Sequence, residues 1–422
     1  MKQSFYERIG ESVHRETLPN GLQVCVVPKP GFAKKYAFFA TRYGGMDIRF
    51  QLDGKWLDTP AGIAHYLEHK MFDTREGNAL QELAKNGAEP NAFTSNAMTG
   101  YYFDSTDHFE ENLRILLSFV SIPWFTEESV AKEQGIIGQE IRMIEDNPDW
   151  QIYNRMMQSL YRTHAARTSI AGTVESISHI TAETLYQCHK AFYTPANMIL
   201  TVVGDVDPIH VADIARRVLP KVSGPAIPRD YGDEPEAVAA GETRMEMEVS
   251  CPQFLTGFKC RPAADGEDYL RLAVVGDMAC DVLLGDSSPL YLRLYDQGLI
   301  NTSFGGSFEM MPGVAYLYAG GDCKDPRLVQ EEILKEADRL VREGISEDFY
   351  QQVRRAAFGA NLRGLNSFEN IAVSLTEGYF HGYDPFRFPQ VFESVTKEDV
   401  TSFLRENIRR ERMTLSEIVP KA

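Results

Sequence analysis

The sequence has few cysteines and no long apolar run. Its 6 cysteines are scattered over 422 residues without a C-x-x-C pair, which argues against a disulfide framework and against cysteine metal ligands. No segment approaches the roughly 20 consecutive apolar residues that a membrane-spanning helix needs. Residues 1–8 also lack the apolar centre of a signal peptide. These absences predict a cytoplasmic protein with reduced thiols.

Positively charged residues are outnumbered by negatively charged ones, so the formal net charge is −17 at pH 7. An acidic surface of this size is unfavourable for binding nucleic acid or anionic membranes. With 43% hydrophobic residues, a chain of this length can bury two sizeable cores. The composition therefore predicts a globular protein that can bury two cores and has no nucleic-acid or membrane partner.

One short motif carries most of the chemical information, the H-x-x-E-H run from His65 to His69 with Glu68 between them. In a helix, residues three and four positions apart share a face, so both imidazoles and the carboxylate point the same way. Thr59 and Pro60 are expected to provide the N-cap and the first helical position. Two histidines on one helical face are typical of a zinc site that needs a third ligand.

A second predicted helix, residues 129–146, supplies candidates for that ligand. At about 100° per residue, Glu133 and Glu140 fall on the apolar face of this helix. That face is formed by Val130, Ile137, Ile141 and Ile144. Acids on an apolar face are costly unless they are paired or bind a cation. Glu145 is a rival that points towards solvent, and an internal salt bridge to a lysine or arginine remains an alternative explanation.

We assign Glu140 as the third metal ligand and Glu133 as the carboxylate that holds a ligand imidazole. His65, His69 and Glu140 would leave one open coordination position on zinc for water. Zinc lowers the pKa of such a water and polarises a peptide carbonyl. Glu68 is then placed to take the proton of the water and pass it to the leaving amine. These residue types predict zinc-dependent hydrolysis of peptide bonds, with Glu68 as the catalytic base and acid.

At this point the chain resembles a known family, the pitrilysin/insulinase peptidases (peptidase family M16). Its signature is H-x-x-E-H followed by a glutamate ligand about seventy residues later, as Glu140 follows His69 here. The closest likeness is to short bacterial zinc proteases. Further matching stretches are residues 18–22, 91–95, 192–198 and 202–205. The resemblance implies one zinc ion per chain and an endopeptidase that hydrolyses small unfolded peptides, in peptide processing or degradation.

Residues 91–103 have the composition of a β-hairpin with a turn near Asn96. The matching strand of the family pairs with the substrate backbone as an added strand, a mode that accepts extended peptides. By resemblance, Asn91 and Ala92 are expected to contact the substrate, together with Phe93 and Thr94. The alternative is that this is an ordinary hairpin that supports the fold.

The order of predicted elements indicates an internal duplication. Helix, short helix, glycine, hairpin and helix follow each other in residues 61–120 and again in 269–342. The second copy has no H-x-x-E-H motif. We therefore expect two homologous α+β sandwich domains, each an antiparallel sheet covered by helices. The predicted division is a zinc-bearing catalytic domain at 1–219, a Pro- and Gly-rich linker at 220–242 and an inactive homologous domain at 243–422.

The second half departs from the family in one respect. Many members carry an Arg and a Tyr seven residues apart that grip the substrate, but residues 294–302 hold no such pair. Arg293 is nearby, yet position 300 is Ile. The resemblance thus implies a heterodimer with a homologous Arg/Tyr-bearing subunit, in which each chain forms half of a clamshell; a homodimer is the second choice.

Two non-enzymatic alternatives stay open. A non-catalytic scaffold of the same fold would need no metal ligands, whereas all five metal-site residues are present here. A zinc-binding chaperone or peptide-binding subunit would bind metal and peptide but would not require Glu68. Substitution of Glu68 therefore distinguishes a binding protein from an enzyme.

Overall fold

The computed structural model describes residues 1–421. Through Val218 the chain forms eleven strands and eight α-helices, two of the strands being only two residues long. These elements are β1 (Lys2–Tyr6), β2 (Glu11–Thr17), β3 (Gln23–Pro28), β4 (Lys35–Thr41), β5 (Arg49–Leu52), β6 (Lys55–Asp58), α1 (Ile63–Met71), β7 (Asp73–Thr74), β8 (Gly77–Asn78), α2 (Ala79–Lys85), β9 (Glu89–Thr94), β10 (Thr99–Ser105), α3 (Phe109–Ser121), α4 (Glu127–Asp146), α5 (Pro148–Leu160), α6 (Val174–Ile177), α7 (Ala182–Phe192), β11 (Met198–Gly204) and α8 (Pro208–Val218).

The rest of the described chain repeats a shorter version of this order. Its elements are β12 (Glu242–Met247), β13 (Gln253–Cys260), α9 (Glu267–Leu284), α10 (Pro289–Asp296), β14 (Gly305–Met311), β15 (Val314–Asp322), α11 (Pro326–Glu343), α12 (Glu347–Gly364), α13 (Phe368–His381), α14 (Phe388–Ser394), α15 (Lys397–Asn407) and β16 (Met413–Pro420). No helix within residues 1–421 combines the length and the apolar character needed to cross a membrane.

The two main sheets confirm the predicted α+β class and show the duplication in their topology. The first has seven strands in the order β1-β2-β3-β11-β4-β10-β9, and the second has five in the order β12-β16-β13-β15-β14. The last five strands of the first sheet match the five of the second in order. In both, one pair at the corresponding place is parallel (β3 with β11, β12 with β16) and the other pairs are antiparallel.

The chain divides into two compact units that are not continuous in sequence. Unit 1 comprises Met1–Ile141, Ser169–Tyr231 and Leu362–Phe386, and unit 2 comprises Arg142–Thr168, Gly232–Asn361 and the residues from Arg387 onward. The sequence division was continuous, at 1–219 and 243–422. The units differ from this division in two segments, since Arg142–Thr168 belongs to unit 2 and Leu362–Phe386 belongs to unit 1. The boundary between the units also falls inside the predicted linker, between Tyr231 and Gly232.

Packing explains why each unit takes a segment from the other half of the chain. In unit 1, α13 covers one face of the seven-stranded sheet, where Ile371, Ala372 and Leu375 join a core with Phe38 and Val203. In unit 2, α5 packs against β12, β13 and β16. Each sheet would otherwise leave apolar side chains in water, which costs about 25 cal/mol for each Å² exposed.

Candidate metal centre

The helix that carries the motif, α1, begins later than the sequence predicts. Gly62 precedes it with a φ of 92° and no side chain caps the helix. A Cβ atom at Gly62 would lie 2.5 Å from the carbonyl oxygen of Ala171, so this sharp entry requires glycine. The prediction of Thr59 as the N-cap is therefore wrong. Its hydroxyl instead donates to the carbonyl oxygen of Ile48 over 2.9 Å.

All three predicted metal ligands come together. The two imidazoles of α1 have ring centroids 4.7 Å apart, as expected for residues one turn apart. Glu140 of α4 faces both, with Oε1 3.4 Å from His65 Nε2 and Oε2 3.5 Å from His69 Nε2. The ligand atoms of these three residues all lie within 4.8 Å of one another, and they form the one such group found among residues 1–421.

This group fits a tetrahedral metal ion. Ligand atoms about 2.1 Å from a tetrahedral zinc ion are about 3.4 Å apart, close to the two His–Glu separations of 3.4 and 3.5 Å. Two imidazole nitrogens and one carboxylate form a donor set that suits zinc and leaves one position open. His65 and His69 are 13% and 26% exposed, and Glu140 is 39% exposed. The group is therefore accessible from solvent.

Glu133, predicted to hold a ligand imidazole, lies against His69. Its Oε1 atom is 3.1 Å from His69 Nδ1, on the side of the ring opposite Nε2. Burial alone would lower the pKa of His69, but the hydrogen bond to Glu133 and the charges of Glu68 and Glu140 raise it. A hydrogen bond with His65 is the main cause that lowers the pKa of Glu140. The negative charges thus favour a cation at this point.

Glu68 is not part of the group of three ligands, and its carboxylate is held by a residue of strand β9. Its side chain is buried, and its Oε2 atom accepts a hydrogen bond of 2.7 Å from the hydroxyl of Thr94. The carboxylate lies on the same helix as both histidines, one position before His69. The structure therefore brings the predicted base and a residue of the predicted substrate strand into direct contact.

Two residues that fix α1 to α4 were missed by the sequence reasoning. The hydroxyl of Tyr66 donates to the carbonyl oxygen of Val130. The buried ammonium of Lys70 donates to the carbonyl oxygen of Ser129 and pairs with Asp73. Tyr66 and Lys70 are four residues apart, so they share a helical face. The signal in the sequence was a lysine directly after the motif and four residues after a tyrosine, which indicates a polar contact on that face of the helix.

The predicted substrate strand, β9, is the terminal strand of the seven-stranded sheet. It pairs with β10 in the register Asn91↔Tyr102, Ala92↔Tyr101, Phe93↔Gly100 and Thr94↔Thr99. Successive side chains point to opposite faces, so Phe93 joins the core under α13, stacked on Phe38 at 5.8 Å. Thr94 points towards Glu68. The outer edge of β9 is a suitable template for an added strand.

Comparison with known proteins finds similarity over most of the chain. Residues 54–174 match the family described as "Insulinase (Peptidase family M16)", and residues 179–357 match "Peptidase M16 inactive domain". An uncharacterized zinc protease of Bacillus subtilis, YmfH, is 40% identical over 99% of this chain and 99% of its own length. The zinc protease PqqE of Helicobacter pylori is 25% identical over 84% of this chain and 83% of its own length.

A solved structure agrees with this assignment. The crystal structure of an M16-like protein from Alicyclobacillus acidocaldarius superposes with a TM-score of 0.93 at 32% identity, covering 97% of this chain and 99% of that one. Similarity of this extent, in both sequence and structure, identifies the family. The chain belongs to peptidase family M16.

Proposed function

We propose that this protein is a zinc-dependent endopeptidase that hydrolyses small unfolded peptides, and that it works as the catalytic subunit of a heterodimer. The observation that carries the proposal is the group of His65, His69 and Glu140 beside the buried carboxylate of Glu68. A binding protein or scaffold needs no such carboxylate, whereas hydrolysis needs a base within reach of the attacking water.

The donor set and the names of the relatives support zinc as the metal. His65, His69 and Glu140 would hold one ion, and relatives such as YmfH are named zinc proteases. When bound, zinc polarises a peptide carbonyl and makes a water molecule acidic. Glu133 keeps the imidazole of His69 in one orientation through its contact with Nδ1.

Glu68 performs the proton transfers in this proposal. Its carboxylate takes a proton from the attacking water and gives it to the nitrogen of the leaving amine. Thr94 holds Oε2 in place by its hydrogen bond, which leaves Oε1 as the oxygen that moves the proton. A carboxylate held in one orientation loses less freedom in the transition state than a mobile one does.

The free edge of β9 is the proposed binding site for the peptide. A peptide that adds a strand there forms hydrogen bonds with the backbone of Asn91, Ala92 and their neighbours, so only an extended chain fits. The side chain of Phe93 is committed to the core, so a contact from Phe93 would involve its backbone alone. This binding mode favours unfolded peptides and imposes little sequence preference.

The partner subunit is proposed because the second unit lacks an Arg/Tyr pair that could grip the substrate. The arginine directly before residues 294–302, Arg293, forms ion pairs with Glu332 and Glu336 at 3.4 and 3.5 Å. Ile300 is buried. Neither side chain is placed to grip a substrate as an Arg/Tyr pair does, so a homologous subunit would supply that grip.

Cleavage of a mixed library of unstructured peptides tests both parts of the proposal. The zinc-loaded chain is assayed alone and after mixing with a homologous chain that carries the Arg/Tyr pair. Cleavage only in the mixture is the expected result. Full activity of the purified chain as a homodimer would contradict the heterodimer, and no cleavage in either sample would contradict the peptidase.

A further inference from the structure

A buried carboxylate joins the interdomain linker to the loop that follows β4. Asp47 is 1% exposed, and its Oδ2 atom accepts a hydrogen bond of 2.8 Å from the backbone N–H of Gly44. Its Oδ1 atom accepts a hydrogen bond of 3.0 Å from the hydroxyl of Tyr231 and lies 2.8 Å from Nε of Arg229. A buried charge is costly without such partners. The loop therefore depends on two residues of the linker.

The same loop supports the turn between β9 and β10. The N–H groups of Gly45 and Met46 donate to the carbonyl oxygens of Ser95 and Asn96, each over 2.9 Å. A Cβ atom at Gly44 would lie 2.5 Å from the carbonyl oxygen of Ser95. The two backbones are thus in contact, and a displacement of the loop would displace the turn.

The residues on either side of this turn link it to Glu68 and to the loop. Thr94, next to Ser95, donates to Glu68, and Thr99 on the other side of the turn donates to the carbonyl oxygen of Tyr43 over 2.9 Å. Tyr43 belongs to the same loop, which spans residues 42–48. Hydrogen bonds and peptide bonds between neighbouring residues therefore connect the linker, the loop, the last residues of β9 and Glu68.

The linker itself is fixed to unit 1 by its backbone. The N–H of Gln51 donates to the carbonyl oxygen of Pro228, and the N–H of Asp230 donates to that of Arg49, both over 3.0 Å. The guanidinium of Arg229 lies over the ring of Phe192, 5.1 Å from its centroid. This part of the linker is therefore an ordered element of unit 1 and differs from a flexible spacer.

From these contacts we propose that Arg229 and Tyr231 are positioning residues for peptide binding. They hold Asp47, and Asp47 holds the loop that sets the position of the end of β9 to which an extended peptide would add. This proposal rests on the proposed function, since it concerns the binding of the same substrate. It assigns the linker a role in substrate affinity in addition to joining the two halves of the chain.

Hydrogen exchange in the full-length, metal-free protein tests the structural half of this proposal. Tyr231→Phe removes one hydroxyl and keeps the ring, and Arg229→Gln removes the cation. Tyr186→Phe is the matched control, because its hydroxyl bonds to the backbone of Phe125 elsewhere in unit 1. We expect the amide hydrogens of residues 44–46 and 95–98 to exchange at least about fivefold faster than in wild type in both linker variants. Their exchange rates should not change in the control. Unchanged exchange at 95–98 in both linker variants would overturn the proposal.

Kinetics of the zinc-loaded protein, with its partner subunit if one is required, test the functional half. The linker variants should raise KM for an unstructured peptide about tenfold and keep the zinc content, with a smaller loss in kcat because the displaced end of β9 also carries Thr94, which bonds to Glu68. Arg229→Lys, which retains a cation, should recover part of the affinity. An unchanged KM, or a fall in kcat alone, would overturn the proposal. A wild-type protein that cleaves no peptide would instead contradict the proposed function, while the exchange measurement still decides whether the linker positions β9.

Discussion

The hydroxyl of Thr94 lies 2.7 Å from Oε2 of Glu68 and donates a hydrogen bond to it. This contact joins the last residue of the edge strand β9 to the helix that carries His65 and His69, two of the proposed metal ligands. Thr94 was expected from the sequence to contact the substrate. Its side chain bonds to Glu68, so we expect a second role, which is to orient the carboxylate proposed to transfer the proton.

Replacement of Thr94 separates these two roles. Thr94→Val keeps the shape and removes the hydroxyl, so kcat should fall about tenfold with KM nearly unchanged, because a hydrogen bond to a charged group contributes about 1.5 kcal/mol. Thr94→Ser keeps the hydroxyl and should retain most of the activity. Steady-state kinetics with one unstructured peptide measures both. A higher KM at unchanged kcat in Thr94→Val would show that Thr94 acts on the substrate.

Glu133 is expected to control metal affinity without binding the metal. Glu133→Gln keeps the size of the side chain and removes the charge next to Nδ1 of His69, so zinc affinity should fall about 10- to 100-fold. Glu145→Gln is the control on the same helix, since Glu145 is exposed. Competition with a chelating dye gives both affinities. Equal affinities in the two variants would contradict the role of Glu133.

A second anchor of the linker, Glu234, makes unit 2 sensitive to acid. Its carboxylate accepts hydrogen bonds from the N–H groups of Arg162, Thr163 and His164 and pairs with Lys259 at 2.5 Å. Burial alone would raise the pKa of Glu234, but Lys259 and these amides lower it from 4.5 to about 2. Burial also lowers the pKa of Lys259, which offsets part of the stabilisation.

The direction of the pH effect follows from this shift. Between pH 4.5 and about 2, Glu234 is ionised in the folded chain and protonated in the unfolded one. The unfolded state therefore binds the extra proton, and the contribution of Glu234 to stability is lost as pH falls through this range. Above pH 4.5 the contribution is complete.

Glu234→Gln should therefore lower the free energy of unfolding at pH 7 by about 2 kcal/mol. The difference from wild type should stay constant between pH 8 and 6 and narrow below pH 4.5. Urea unfolding, monitored by circular dichroism, measures this difference in the free energy of unfolding. Glu236→Gln is the control, because Glu236 is exposed. A difference that does not change with pH would show that the charge of Glu234 is not the cause.

Local patterns in the sequence predicted much of the fold and of the site. Helical spacing alone placed both imidazoles of α1 on one face, and the apolar face of α4 located Glu133 and Glu140 beside them. The order of helices and hairpins predicted the duplication, which the parallel pair at the same place in each sheet now supports. The helical faces depend on residues within a few turns of each other, and the duplication depends on the order of elements along the chain, so a single sequence contains both.

Contacts between distant parts of the chain could not be predicted. The helix α13 covers the first sheet although it lies more than 160 residues after the last strand of that sheet. The entry into α1 is set by the approach of Ala171 to Gly62, which no local N-cap pattern shows. In the same way, the pairing of Asp47 with Arg229 becomes visible only in the folded chain.

The most direct test of the account is peptide cleavage by the zinc-loaded wild-type chain beside its Glu68→Gln variant, with zinc content measured in both and any required partner subunit present. We expect equal zinc content and a loss of at least about 100-fold in kcat for the variant, because the substitution removes the proton-transferring group and leaves His65, His69 and Glu140 intact. Full activity in a zinc-loaded Glu68→Gln variant would contradict the account.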